Sequence, residues 1–283
     1  EQKGKIRLIE EPVDKLNLTL SKLHSLLKKI ETPDWLLSGK KKIKPRDNAE
    51  AHSQSKYMIT VDIEKFYQST KREYIYRTFR NVFCQFDDIA SLLADLVTYK
   101  GHIPTGAATS QLIAFWAYRQ TFNRIYKLCV ANDIIMTVWV DDITFSSTKP
   151  LPKNWHKDIQ KIVQEVQLSL KTKKTKTYYS KEYKSVTGSS ISPHGEIRVK
   201  NTKRKEIVDL LMNKKIENLN FKDAQSLFGK LVAQRQNEPD FFNNVYHRLK
   251  IHLKSLRNIE KSKKYFIKSQ LIHMLPKASH HQY

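Results

Sequence analysis

Two cysteines, Cys84 and Cys129, are all the chain has. Each lies inside an apolar stretch, so neither a disulfide framework nor a paired-cysteine zinc site can be built, and the chain suits a reducing cytosol. Glycine is scarce too, with seven in 283 residues, so the place of each one is informative. Long apolar runs are missing. The longest, residues 112–118 and 134–140, fall far short of the ~20 residues that cross a bilayer. No membrane span and a cytoplasmic location are therefore expected. Acidic residues are in deficit, with 28 Asp and Glu against 51 Lys and Arg, a net charge of +23. A surplus that large opposes compaction unless a polyanion neutralises it. Nucleic acid is the first candidate partner and an anionic membrane surface the second.

What is present is enough for a sizeable core, since 40% of residues are hydrophobic. Residues 5–10 read as a short strand and 58–63 as another, the second ending in an acid. Leu16, Leu20, Leu23 and Leu27 recur at helical spacing and predict a helix over 16–30. A basic loop with Gly and Pro breakers follows at 38–47. Helices are expected over 71–79, 87–99, 107–128 and 158–170, and a hairpin over 134–146. From about residue 207 nearly every position has helical period. Mixed elements over 1–200 followed by helices over 201–283 predict an α+β fold with a helical appendage. The chain opens on Glu1, and KGKIRLIE reads as the middle of a hairpin, so residues are expected to precede it.

The stretch MTVWVDDITFSS, residues 136–147, places two adjacent carboxylates between two apolar strands. A second acidic pair, Asp87 and Asp88, opens a helical pattern and needs only a capping and dipole explanation. Asp141 and Asp142 have no helix behind them. Read alone, they fit a polar two-residue turn. Asp62 adds a third carboxylate at a strand end, 79 positions before Asp141. A strand-end acid beside a hairpin-tip pair makes a cluster that needs divalent cations at neutral pH. Mg2+ takes hard oxygen ligands, one or two carboxylates together with substrate phosphates. Two such ions stabilise both the attacking and the leaving oxygen in phosphoryl transfer.

VDIEKFYQS (61–69), IPTGAATSQ (103–111) and WVDDITFS (139–146) occur in the order and rough spacing of three core motifs of reverse transcriptases, and the chain resembles that family over nearly its whole length. KGKIRLIEEP (3–12) resembles the fingers segment, and KTKKTK (171–176) falls where the family carries a lysine. NAEAH (48–52) and VTG (186–188) resemble two elements of bacterial retron reverse transcriptases. Read alone, the first fits a helix fragment with a satisfied Asn and His, and the second a strand ending in a turn. Trp139 stands where the family has Tyr, and the 104–111 segment lacks the usual Gln and prolines. All three aspartates are kept.

The resemblance implies a right-hand polymerase, with fingers and palm over 1–200 and an α-helical thumb over 201–283. It implies an RNA-directed DNA polymerase with two Mg2+ ions held by Asp62, the Ile63 backbone and Asp141, with Asp142 in support. Tyr67 would stand as an aromatic gate against a 2′-OH, and Gly106 and Ala107 under the incoming base. Arg7, with Lys5 beside it, would reach the triphosphate. Lys174 is the choice for the lysine motif, with Lys176 its rival. Asn48, His52, Val186, Thr187, Gly188 and Arg198 would recognise RNA. Residues 171–205 hold eleven Lys or Arg and two acids, with Tyr178, Tyr179 and Tyr183 interleaved, the pattern of a phosphate-tracking groove with stacking rings. The implied partners are a structured non-coding RNA, its single-stranded DNA product, dNTPs and a defence effector protein. Three other readings stay open: another bacterial reverse transcriptase, of the diversity-generating or abortive-infection type; a non-catalytic RNA-binding scaffold; and an RNA-dependent RNA polymerase, against which Tyr67 argues.

Overall fold

A computed structural model of the protein describes the backbone of residues 9–274 and side chains through residue 259. The strand read at 5–10, with Lys5 and Arg7, lies almost wholly outside the described residues. The chain divides into two compact units, Glu1–Ile197 and Arg198–Tyr283.

The first unit begins with α1 (Asp14–Leu27), α2 (Pro45–Glu50), β1 (Tyr57–Asp62), α3 (Phe66–Ser69), α4 (Arg72–Arg77) and α5 (Asp87–Val97). It continues with α6 (Ser110–Ala117), α7 (Arg119–Val130), β2 (Ile135–Trp139), β3 (Asp142–Ser147) and α8 (Trp155–Gln164). Three short strands follow, β4 (Lys176–Tyr178), β5 (Lys184–Val186) and β6 (Ser189–Ile191), and β7 (Ile197–Val199) runs into the second unit.

Four strands form one sheet in the order β2-β3-β1-β4, with antiparallel pairing throughout. Strand period two sorts its residues cleanly. Ile59 and Val61, Phe145 and Ile143, and Met136 and Val138 are in register and buried in the main core. Rings from the helices close that core, Phe145 meeting Trp155 of α8 edge-on at 5.6 Å. The opposite face carries Met58, Thr60 and Asp62 on β1, with Ser146, Thr144 and Asp142 as their partners on β3. Its far end is covered by a small cluster in which Met58 packs with Ala49 of α2 and with Val186 and Ile191 of the β5–β6 hairpin. The end that carries the acids stays outside that cluster.

Two expectations change. The helix expected over 107–128 breaks at Tyr118, whose backbone leaves the helical region (φ −115°, ψ 16°). Its ring is 1% exposed and packs on Phe66 at 5.8 Å and Tyr74 at 5.2 Å, so ring packing overrides helical propensity. The helix expected over 71–79 passes from α4 into a π-helical turn, Thr78–Val82.

The second unit holds α9 (Asn201–Asn213), α10 (Phe221–Arg235) and α11 (Asn243–Met274). Ile207, Leu227, Leu231, Phe241, Leu249 and Leu253 form its own core. Asn220 caps α10, its side chain accepting from the Asp223 N–H at 2.8 Å.

Candidate active site

Asp62 is the last residue of β1 and Asp142 the first of β3, and the two are register partners. Asp141 sits in the two-residue turn between β2 and β3, and its carbonyl accepts from the Ile63 N–H at 2.9 Å. Ligand oxygens of Asp62, Asp141 and Asp142 lie within 4.8 Å of one another. Burial pushes the Asp142 carboxyl up to about 6, and the charges of Asp141 and Asp62 add to it. Lys174, on the turn Thr172–Lys174, forms an ion pair with Asp62, and that bond holds its ammonium above the usual lysine range. An all-oxygen donor set of three crowded carboxylates fits a divalent cation of the hard, Mg2+-like kind. The side chains of Asp62, Asp141 and Asp142 could hold it. Lys176, the rival lysine, lies on β4 opposite Thr60.

Tyr67, on α3, comes to the same place. Its ring stacks on Phe66 at 6.0 Å, and burial, with the Asp141 charge, pushes its phenol up to about 12. Gly106 has a different neighbour from the one its sequence suggested. Its N–H donates to the Glu10 carbonyl at 3.0 Å, and an added Cβ would lie 2.9 Å from that same oxygen. The side a Cβ would take is filled by the chain's own Glu10 and Glu11. Ala107 beside it is 8% exposed and packs in the main core.

Three of the expected RNA contacts are corrected by burial. Asn48, His52 and Val186 are each no more than 1% exposed and have no surface to offer a ligand. His52 Nδ1 lies 2.7 Å from Ser146 Oγ of β3, and His52 Nε2 lies 2.7 Å from Thr137 Oγ1 of β2. Thr137 donates to Asn48 Oδ1 at 2.6 Å. Val186 fills the small cluster against Ala49 and Met58. Thr187 and Gly188 make the β5–β6 turn, both with positive φ (+41° and +91°). Nothing lies within 4 Å of a Cβ built on Gly188, so the glycine answers the turn's backbone demand. Thr187 donates to the Pro45 carbonyl at 2.9 Å and is tied to α2. Thr187 is half-buried, and Gly188 and Arg198 are exposed.

Sequence reasoning missed Thr137 and Ser146, whose hydroxyls engage this buried pair, and Ser55, which accepts from Ser146. The signal of the first two was a small polar residue inside an otherwise apolar strand. It also missed residues 35–38, which lie along the outer edge of β2 through a parallel bridge between Leu36 and Val138.

Comparison with known proteins agrees with this arrangement. The telomerase from Candida albicans, solved with the TWJ fragment of telomeric RNA, superposes at a TM-score of 0.52 and 11% identity, covering 86% of this chain and 47% of that one. The apo telomerase from Candida tropicalis gives 0.53 and 10%, covering 86% and 50%. At such identities the likeness is one of fold, that of a polymerase. In sequence, the chain is 28% identical over 214 residues to the Retron Se72 reverse transcriptase of Salmonella heidelberg (strain 579083-10), covering 72% of this chain and 55% of the relative. It is 24% identical over 212 residues to the Retron Ec86 reverse transcriptase of Escherichia coli, covering 73% and 66%. The chain thus spans between half and two thirds of the lengths of these curated relatives. A family model for reverse transcriptase (RNA-dependent DNA polymerase) matches residues 2–234. That match takes in the carboxylate cluster, Tyr67 and Lys174, and the chain belongs to the reverse transcriptase family.

Proposed function

We propose that the protein is a retron-type RNA-directed DNA polymerase. It copies part of a cognate structured RNA into single-stranded DNA, primed from a 2′-OH of that RNA, and the branched product serves antiphage defence with an effector protein. The observation that carries the catalytic part is the meeting of Asp62, Asp141 and Asp142 within 4.8 Å. Likeness to retron enzymes supports the rest. Asp62 and Asp141, with the Ile63 backbone, hold two Mg2+ ions, and Asp142 supports them. Bound there, the metal supplies a lowered pKa for the attacking hydroxyl and screening of the triphosphate. Tyr67 closes the sugar pocket, Lys174 carries positive charge to the same cluster, and Gly106 and Ala107 shape its approach. Among the described residues no helix is long and apolar enough to cross a membrane. A cytoplasmic location goes with this reading, as does a thumb role for the second unit.

Two side-chain predictions follow from the site. Tyr67→Ala is expected to raise rNTP incorporation relative to dNTP about 100-fold, the scale on which a shaped pocket discriminates small groups. Paired single-nucleotide extensions check it, and an unchanged ratio removes Tyr67 from the gate. Tyr179 and Tyr183 are 59% and 63% exposed within the basic stretch. Replacing either by Ala is expected to weaken cognate RNA binding by about 5-fold to 100-fold, the loss of one stacked base, with no change in thermal stability. Filter binding and calorimetry read this out, and unaltered affinity would make those rings ordinary surface.

The test of the whole reading uses cells expressing the chain with its native flanking DNA. Nucleic acid that copurifies is probed for DNase-sensitive single strands joined to RNA. An Asp141→Asn, Asp142→Asn double variant is the control. Branched DNA in wild type alone supports the proposal. A specific RNA bound equally by both proteins, with no DNA, replaces it with an RNA-binding scaffold.

A further inference from the structure

We propose that Ser38 is a positioning residue for the carboxylate pair, acting through the backbone amide of Val140. This inference rests on the polymerase reading.

Val140 occupies the left-handed region, with φ +59°. Two-residue hairpin turns ask for positive φ, and Asn or Gly meets that demand cheaply. A β-branched residue does not, and such a conformation persists only where its surroundings enforce it. Val140 directly precedes Asp141, so its torsion angles set where that carboxylate points.

The enforcing contact is a single atom. Val140 N–H donates to Ser38 Oγ at 2.9 Å. Ser38 is 2% exposed, so water does not readily take the place of its hydroxyl. The segment that carries it is itself anchored. Val138 N–H donates to the Trp35 carbonyl at 2.8 Å, and Leu37 N–H donates to the Val138 carbonyl at 3.0 Å. Trp35 is set among rings, with Phe115 and Tyr126 each at 5.8 Å. Gly39 turns the chain away at once with φ +76°, and a Cβ there would lie 2.8 Å from Gln111 Nε2. On the other side of the turn, the Asp141 carbonyl is held by the Ile63 N–H. The tip is thus pinned by an outer amide and an inner carbonyl. Without the outer pin, Val140 is free to relax to negative φ, and Asp141 moves with it.

A double-mutant cycle tests this. Primer extension on an RNA template, run across a Mg2+ titration, compares wild type, Ser38→Ala, Val140→Gly and the double variant. Hydrogen exchange of peptides covering 136–146, in EDTA, supplies a readout free of metal. Ser38→Ala is expected to lower kcat about tenfold, as a strained turn is released. It should raise the half-saturating Mg2+ concentration, leave KM for dNTP within about twofold, and speed exchange at Val140 and Asp141. In the Val140→Gly background, Ser38→Ala should cost no more than about twofold, because glycine adopts positive φ without strain. An equal cost in both backgrounds overturns the proposal. If Ser38→Ala alone does not fold, a folded and active double variant supports it, and an unfolded double variant overturns it. Absence of DNA synthesis by wild type would sink the polymerase reading, and the exchange arm would still judge the clamp.

Discussion

Asp141→Asn is expected to abolish DNA synthesis, by at least ~10³-fold, while leaving the fold and RNA binding intact. The change keeps the shape of the side chain and removes one unit of negative charge. The turn that presents it is held by main-chain bonds, among them Ile63 N–H to the Asp141 carbonyl at 2.9 Å, and these are untouched. A metal clamp is worth several kcal/mol to a phosphoryl-transfer transition state, and about 4 kcal/mol is a thousandfold in rate. Stability should move the other way. Three carboxylates within 4.8 Å repel, and the raised Asp142 pKa reflects its burial first and that crowding second. In EDTA, Asp142→Asn should therefore raise Tm, by about 2–4 °C for each kcal/mol relieved in a chain of this size. Activity lost together with stability gained is the mark of acids kept for function. Acids that merely polarise a turn would change little in either assay. Extension rates and scanning calorimetry on the two single variants decide it, and Asp141→Asn activity within tenfold of wild type sinks the assignment.

The carboxylates were legible because the signal is local. A β-branched strand that ends on Asp62, and a hairpin whose tip is acidic, are both patterns of period two interrupted by charge. The pairing of Asp62 with Asp142 then follows once β1 joins β3. The choice between Lys174 and Lys176 was not legible, since KTKKTK has no period to fix its register. It took the short helical turn before β4 to bring Lys174 to Asp62. Five-residue strings proved poor guides to burial. NAEAH fits an RNA-reading loop or a satisfied helix fragment equally well, and only tertiary packing puts Asn48 and His52 under the sheet. That Gly106 also meets Glu10, 96 positions away in sequence, was not legible, because no local pattern links the two. The basic stretch 171–205 hid four strands of three residues each, too short to show alternation. It also hid Lys184, which is 1% exposed within β5.

The second large effect falls on stability and is set by His52. The side chain is fully buried, and both ring nitrogens are engaged. Thr137 spends its only proton on Asn48 Oδ1, so it can only accept from the ring. Nε2 therefore carries a proton and donates to Thr137, while Nδ1 lies 2.7 Å from the Ser146 hydroxyl, which donates to Ser55. Burial disfavours a charged ring and lowers the His52 pKa to about 3. In the unfolded chain the value is about 6.5. Below that value the unfolded state binds the extra proton and the folded state does not, so stability is complete above about 6.5 and is lost as pH falls toward 3. At 1.36 kcal/mol per pH unit, the loss at pH 4.5 is about 2.7 kcal/mol. His52→Ala leaves Thr137 and Ser146 each short of a partner and opens a cavity, a cost of about 3–5 kcal/mol at pH 7. The variant has no ring to protonate, so its deficit against wild type should shrink by about 2.7 kcal/mol at pH 4.5. All other titrating groups are common to the two proteins and cancel in the difference. Urea midpoints for both proteins at both pH values measure it. A deficit that stays constant with pH would mean that His52 is protonated in the fold, in spite of its burial.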